Sequence, residues 1–229
     1  KHAENVQGCA QALERLFADA GFPAGALLAL AVGLKRVPDL IRDPRVRAVT
    51  LTGSTRAGRS VGALAGAALK KFVLELGGSD PYVMLVDADL DLAAKTCVTS
   101  RLINGGQSCI AAKRFIVVEP VRAEFTERVL ERMRAVKVGD PRGTVDVGPL
   151  ARADLVSELE RQVAADVKRG ARLVFRSEKP ARGSFAAPTL LDGVRPGMAA
   201  FDEETFGPAA AIVPAKDEDE ALALANATA

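Results

Sequence analysis

The stretch from Val46 to Leu76 restricts the possible folds more than any other part of the chain. Val46 to Thr52 alternates valine, threonine and leucine with other residues, as a half-buried strand does, and it stops at Gly53. A glycine-bearing loop follows, Gly53-Ser54-Thr55-Arg56-Ala57-Gly58-Arg59-Ser60, then an alanine-rich segment that reads as a helix from about Val61 to Lys71, then the apolar run Phe72 to Leu76. Strand, loop, helix and strand in that order make a crossover between parallel strands. The loop presents unpaired N–H groups and the positive end of a helix dipole, which suits a phosphate or pyrophosphate. A plain helix cap reads the same residues equally well. The spacing lacks the Gly-x-Gly-x-x-Gly of a dinucleotide loop, and Arg59 stands where a P-loop has lysine.

The rest of the chain repeats the alternation. Cys9 to Ala20 reads as a helix closed by Gly21-Phe22-Pro23, Leu27 to Val32 as a strand, and Val37 to Arg42 as a short helix ended by Asp43-Pro44. Beyond Leu76-Gly77-Gly78, Tyr82 to Val86 reads as a strand, and Asp87-Ala88-Asp89 caps a helix running to about Ile103. Strands are expected at Arg114 to Val118, Arg172 to Phe175, Ala187 to Leu191 and Ala209 to Pro214. Helices are expected at Val121 to Val136, Leu155 to Gly170 and from Asp217 to Asn226. The pattern predicts an α/β fold with mostly parallel, largely buried sheets.

Composition narrows the function. Apolar residues at 48%, charged residues at 26% and a net charge of +2 describe an ordinary globular chain and give no nucleic-acid surface. The basic pairs Lys70-Lys71 and Lys113-Arg114 read as solvated faces, Arg101 as helix surface and Arg56 as a solvated loop residue. The apolar run Gly25 to Gly33 is too short to span a bilayer, and no export signal opens the chain, so a cytoplasmic protein is expected. Three cysteines without a CxxC pair and a single histidine, His2, support neither a disulfide framework nor a zinc site, and they fit a reducing compartment. Cys9 and Cys97 lie in apolar helical patterns and read as core.

Cys109 differs from the other two. It ends the loop Asn104-Gly105-Gly106-Gln107-Ser108-Cys109, placed between a helix and a strand, where glycines let backbone N–H groups approach charge developing beside a sulfur. A lone cysteine also reads as a small buried hydrophobe. With only His2 available, a cysteine nucleophile needs another base. Glu75, at the end of an apolar strand, offers one, because a buried strand end raises a carboxyl group towards basic strength; taken alone it reads equally as a salt-bridged or solvent-facing strand end.

Four motifs then occur in one order: Thr52-Gly53-Ser54-Thr55 with Gly58; Leu74-Glu75-Leu76-Gly77-Gly78; Asn104 with Gly106-Gln107-Ser108-Cys109; and Glu203-Glu204-Thr205-Phe206-Gly207-Pro208. Through them the chain resembles the aldehyde dehydrogenase superfamily over essentially its whole length. Lys1-His2-Ala3, Glu75-Leu76-Gly77-Gly78-Ser79-Asp80-Pro81 and Ala111-Ala112-Lys113-Arg114-Phe115 point towards the succinate-semialdehyde dehydrogenase branch. The resemblance implies part of a Rossmann-type NAD(P)-binding domain over 1–76 and a thiol-bearing catalytic domain over 77–229, in a chain lacking both ends of the family's pattern. It implies Cys109 as nucleophile and Glu75 as base. Gly53 and Ser54 would lie against the cofactor pyrophosphate, Thr52 beside the nicotinamide, Lys1 at the adenosine ribose, and Glu204 and Phe206 at the nicotinamide ribose. Glu4 would repel a 2′-phosphate and leans the cofactor towards NAD over NADP, whereas Lys1 pulls the other way. A small aldehyde substrate and a homo-oligomer are implied as well. Asn104 and Gln107 read as loop-shaping residues. Two other readings stay open: a catalytically silent nucleotide-binding fragment, and a cofactor-independent cysteine esterase or thioesterase.

Overall fold

The computed structural model describes residues 1–228 and separates into two compact units, Lys1–Leu76 and the chain from Gly77 on. In the first unit, α1 (Gln7–Asp19) and the short α2 (Val37–Arg42) precede β1 (Ala48–Thr52), α3 (Thr55–Ala67) and β2 (Lys71–Glu75). β1 and β2 pair in parallel with Val49 opposite Phe72 and Thr52 opposite Glu75, so the expected crossover is present. α3 starts well before Val61. Ser54 caps it by accepting the Ala57 N–H at 3.3 Å, and the loop's second glycine belongs to the helix. A Cβ on Gly58 would stand 2.5 Å from Leu76 Cδ2, and one on Gly62 would stand 3.4 Å from Leu74 Cδ1. These glycines let the helix lie close on the strands.

The apolar run of Leu27 to Val32 does not become a strand. It finds no ladder partner among the described residues: Ala29 N–H donates instead to Glu14 Oε2 at 3.0 Å, and Leu28 and Leu30 are exposed. An apolar run becomes a strand only where a neighbouring strand takes up its backbone groups. Cys9 is exposed, against the expectation of a core position, and only Ala10 of α1 is buried.

The second unit is built on a five-stranded sheet of β3 (Pro81–Met84), β4 (Arg114–Val118), β5 (Arg172–Arg176), β6 (Thr189–Asp192) and β7 (Ala209–Ala215). The order is β3-β4-β7-β6-β5, parallel except that the edge strand β5 runs antiparallel to β6. α4 (Leu90–Leu102) and α5 (Glu119–Arg134) flank β4 in sequence, α6 (Ala153–Lys168) precedes β5, the short α7 (Ala199–Asp202) precedes β7, and α8 (Glu218–Ala225) follows it. Asp89 caps α4, as its position predicted, by accepting the N–H groups of Asp91 and Leu92.

β4 is buried along its whole length, which explains its uninterrupted apolar run. Its side chains divide by the two-residue period. Phe115 and Val117 pack with Ala210 and Ile212 against Cys97, Val98, Phe125 and Met133 of α4 and α5. Ile116 and Val118 pack with Ala211 and Val213 against Leu159, Val163, Phe201 and Ala221 on the other side. Phe115 meets Phe125 edge to face with ring centres 6.1 Å apart. Asp166 of α6, fully buried, accepts the Ala199 and Ala200 N–H groups at 2.6 and 2.7 Å and so caps α7 from a distance.

Burial pushes the Cys97 thiol from its ordinary 9.0 up to about 12. Its folded value lies above its unfolded one. The thiol therefore leaves stability unchanged below about pH 9 and lowers it as pH rises from there towards 12, because only the unfolded chain ionises. We predict that Cys9 and Cys109 alkylate in the native chain at pH 8 while Cys97 reacts only after denaturation, as read by mass spectrometry. Denaturant titrations of the parent should fall more steeply above pH 9 than those of Cys97→Ala.

Candidate active site

Three adjacent parallel strands bring the candidate residues of the second unit together. The segments entering β3, β4 and β7 arrive at the same end of the sheet, because those strands run in parallel side by side. Gly77-Gly78 leads into β3, the Cys109 loop into β4, and Glu204 with Phe206 into β7. Cys109 is exposed, Glu204 and Phe206 are half-buried, and Thr205 between them is buried.

The loop's shape follows from its residue types. Asn104, Gly105 and Gly106 all take left-handed backbone conformations, with φ of +51°, +65° and +77°. Glycine adopts that region freely, and asparagine is among the few other residues that visit it routinely. Asn104 Nδ2 donates to the Gln107 carbonyl and Gln107 Nε2 donates to the Asn104 carbonyl, each at 3.1 Å, while Gln107 Oε1 accepts the Ala151 N–H at 2.8 Å. Both residues shape the loop, as their sequence reading held. A Cβ on Gly106 would stand 2.2 Å from the Gly207 carbonyl oxygen, so here the β4 and β7 entry segments touch backbone to backbone.

Two cations that the sequence placed at the surface lie beneath this loop. Arg101 is 1% exposed and donates to the Gly106 carbonyl at 2.6 Å; Lys113 is 0% exposed, and its Nζ donates to the Cys109 carbonyl at 2.7 Å and to the Ser108 carbonyl at 3.4 Å. Lys113 also lies 3.6 Å from Glu204 Oε1, an ion pair longer than a hydrogen bond. Burial lowers the Lys113 ammonium below its ordinary value, and the Glu204 carboxylate opposes that shift. Arg101 is pushed down to about 10 by burial, again with Glu204 opposing. Arg114, also buried, donates to the Ser79, Leu224 and Ala225 carbonyls and stacks over Phe201 at 4.9 Å. The expected solvated faces are thus internal struts. One signal was present: Lys113-Arg114 directly abuts the uninterrupted apolar run of β4, where charge must be carried inward and paired.

Glu204 faces Gly77, where a Cβ would stand 2.1 Å from its Oε2. Its Oε1 is buried without a hydrogen-bond partner, and Gln162 of α6 holds the segment by donating to Glu203 Oε2 at 2.9 Å and to the Glu204 carbonyl at 3.2 Å.

The remaining candidates belong to the first unit. Thr52, Gly53 and Ser54 are exposed where β1 gives way to α3, whose first turn carries no acidic residue. That helix end suits an anion. Glu75 ends β2, and its carbonyl accepts the Gly53 N–H at 2.9 Å. Its side chain is exposed, so the burial on which its reading as a base rested is absent from the structure. Lys1 is exposed with Nζ on the His2 carbonyl, and Glu4 opens an exposed 3-10 turn. Among the described residues no group of His, Cys, Asp and Glu side chains could hold a metal ion.

The sequence profile described as "Aldehyde dehydrogenase family" matches residues 1–229. Among curated proteins, the chain is 53% identical over 228 residues to "Succinate semialdehyde dehydrogenase [NAD(P)+] Sad" of Escherichia coli (strain K12), covering 99% of this chain and 49% of that protein. It is 45% identical over 230 residues to "Succinate-semialdehyde dehydrogenase [NADP(+)]" of Mycobacterium leprae (strain TN), covering 100% of the chain and 50% of the relative. Among solved structures, a succinic semialdehyde dehydrogenase from Streptococcus pyogenes in complex with NADP+ is 37% identical with a TM-score of 0.90, over 96% of this chain and 49% of that one. The chain spans about half the length of the curated relatives it matches.

The loop geometry yields a graded prediction. Gly105→Ala meets no atom closer than 3.6 Å and should cost only left-handed strain, about 1–2 kcal/mol. Gly106→Ala must also separate two backbones and should cost upwards of about 3 kcal/mol. Urea titrations comparing the two variants check the order, and equal costs would contradict the close approach to Gly207.

Proposed function

Because the chain belongs to the aldehyde dehydrogenase family, we propose that the protein oxidises a small aldehyde, succinate semialdehyde or a near analogue, to the carboxylic acid with NAD(P)+, through the thiol of Cys109. The observation that carries this reading is the exposed Cys109 on a loop whose Gly106, Ser108 and Cys109 carbonyls are all bonded inward by buried cations. A thiol held on so fixed a support is built for chemistry, since an inert cysteine needs no such scaffold.

The Cys109 thiolate would add to the aldehyde carbon, giving a thiohemiacetal. NAD(P)+, when bound, accepts the hydride that this adduct gives up, which leaves an acyl thioester on Cys109. Glu75 is proposed as the base that takes a proton from the water attacking the thioester; expulsion of the Cys109 thiolate then releases the carboxylic acid. Gly53 and Ser54 would hold the pyrophosphate at the α3 N-terminus, with Thr52 beside the nicotinamide and Lys1 and Glu4 at the adenosine ribose. Glu204 would accept from the nicotinamide ribose, and Phe206 would pack nearby. The lean towards NAD argued from Glu4 is not kept, since the relatives' names give NAD(P)+ and NADP(+). Homo-oligomerisation and a cytoplasmic location belong to the same family-based reading; among the described residues no helix is long and apolar enough to cross a membrane.

The test is formation of NAD(P)H at 340 nm by the full-length gene product with succinate semialdehyde. Cys109→Ser should lose at least about 1,000-fold in kcat. Glu75→Gln should give a burst of about one NAD(P)H per active site followed by slow turnover, because only thioester hydrolysis needs the base. Normal steady-state turnover in Cys109→Ser would sink the assignment.

A further inference from the structure

Lys113 has no part in the scheme above, yet it is wholly buried and its ammonium is directed at the nucleophile loop. The family-based role given to the loop is that of Cys109 as nucleophile; what fixes the backbone N–H groups beside the sulfur is a separate matter. The peptide joining Ser108 to Cys109 is trans and planar, as are the other peptides of the described chain, so its C=O and N–H point in opposite directions. The Ser108 carbonyl is turned inward, accepting the Ala111 N–H at 3.2 Å and lying 3.4 Å from Lys113 Nζ. The Cys109 N–H is therefore turned outward, and among the described residues it donates to no protein group. The next peptide is held in the same sense, and more tightly, by the 2.7 Å bond from Lys113 Nζ to the Cys109 carbonyl.

Resting on the reading of Cys109 as nucleophile, we propose that Lys113 is a positioning residue that aims the Cys109 backbone N–H at the oxygen of the adduct formed on the sulfur. It does so by pinning the carbonyls on both sides of Cys109 to one buried ammonium, which Glu204 keeps in place from the β7 side. Lys113 touches neither substrate nor sulfur in this role. It sets the direction of a donor whose value lies in being fixed before charge develops. A Ser108 carbonyl released from Lys113 would let the Ser108–Cys109 peptide rotate, and a rotated peptide would present an oxygen where the reaction needs a hydrogen.

The role separates two reactions of the same thiol. Addition to a carbonyl develops an oxyanion and needs the aimed N–H, whereas alkylation by iodoacetamide displaces iodide and develops none. We compare p-nitrophenyl acetate hydrolysis, aldehyde oxidation and Cys109 alkylation at one pH in a Cys9→Ser background of the full-length gene product. Lys113→Met should slow both carbonyl reactions by roughly 10–100-fold, in line with partial loss of one oxyanion donor. Its alkylation rate should stay within about threefold of the parent. Lys113→Gln, which keeps a donor at that position, should recover most of the loss. Equal losses in carbonyl addition and alkylation would show that Lys113 supports the thiol or the fold instead, and no loss in Lys113→Met would also overturn the inference. If Lys113→Met does not fold, Lys113→Gln decides: ester hydrolysis within about tenfold of the parent supports the role, and a loss matching that of Cys109→Ser overturns it. A parent that hydrolyses the ester through Cys109 but reduces no NAD(P) would end the dehydrogenase reading while leaving the Lys113 comparison intact.

Discussion

The parallel pairing of β3, β4 and β7 is the constraint on which the second unit depends. Parallel neighbours receive their incoming segments at one end, so three stretches far apart in sequence share a single edge. Gly77, Gly106 and Gly207 then let those stretches approach until a Cβ at Gly77 or Gly106 would clash with Glu204 or Gly207, and one at Gly207 with Leu159. Such proximity leaves the loop carbonyls facing inward. Arg101 and Lys113 meet them, at the cost of burying two cations, of which Lys113 lies 3.6 Å from the Glu204 carboxylate. Buried ion pairs of this kind seldom add net stability. Their value here lies in geometry.

Much of this was legible in the sequence. The βαβ order, the cap at Asp89 and the strand at Arg114–Val118 follow from period, glycine placement and N-cap chemistry, which act over a few residues. The loop-shaping roles of Asn104 and Gln107 were legible for the same reason: their partners are each other. What escaped depends on partners far along the chain. Lys113 and Arg114 look like a surface pair until β7 and α8 supply the groups that receive them. Leu27 to Val32 has the apolar run of a strand but, among the described residues, no neighbouring strand to complete it. Cys9 has the pattern of a core cysteine, but α1 buries only Ala10. Glu75 was assigned burial from the apolar run before it, and the structure leaves it exposed.

The two units also differ in how their sequences are spent. In the second, apolar residues on both faces of the sheet find helices to cover them. In the first, α3 covers one face of a two-stranded sheet, and Phe72, Val73, Leu13, Leu16 and Leu34 stay exposed. Two strands with one covered face are marginal as a free-standing structure.

That asymmetry bears on how the chain comes apart. A unit whose buried hydrophobic side chains are Ala10, Ile41 and Ala65 opens at low free energy, while a sheet buried on both faces holds until global unfolding. Units buried this unequally are expected to unfold in separate steps, and a single midpoint then describes neither. A ligand held at the α3 N-terminus would act on the weaker step first, so that occupancy of that loop and cooperativity of the whole chain rise together.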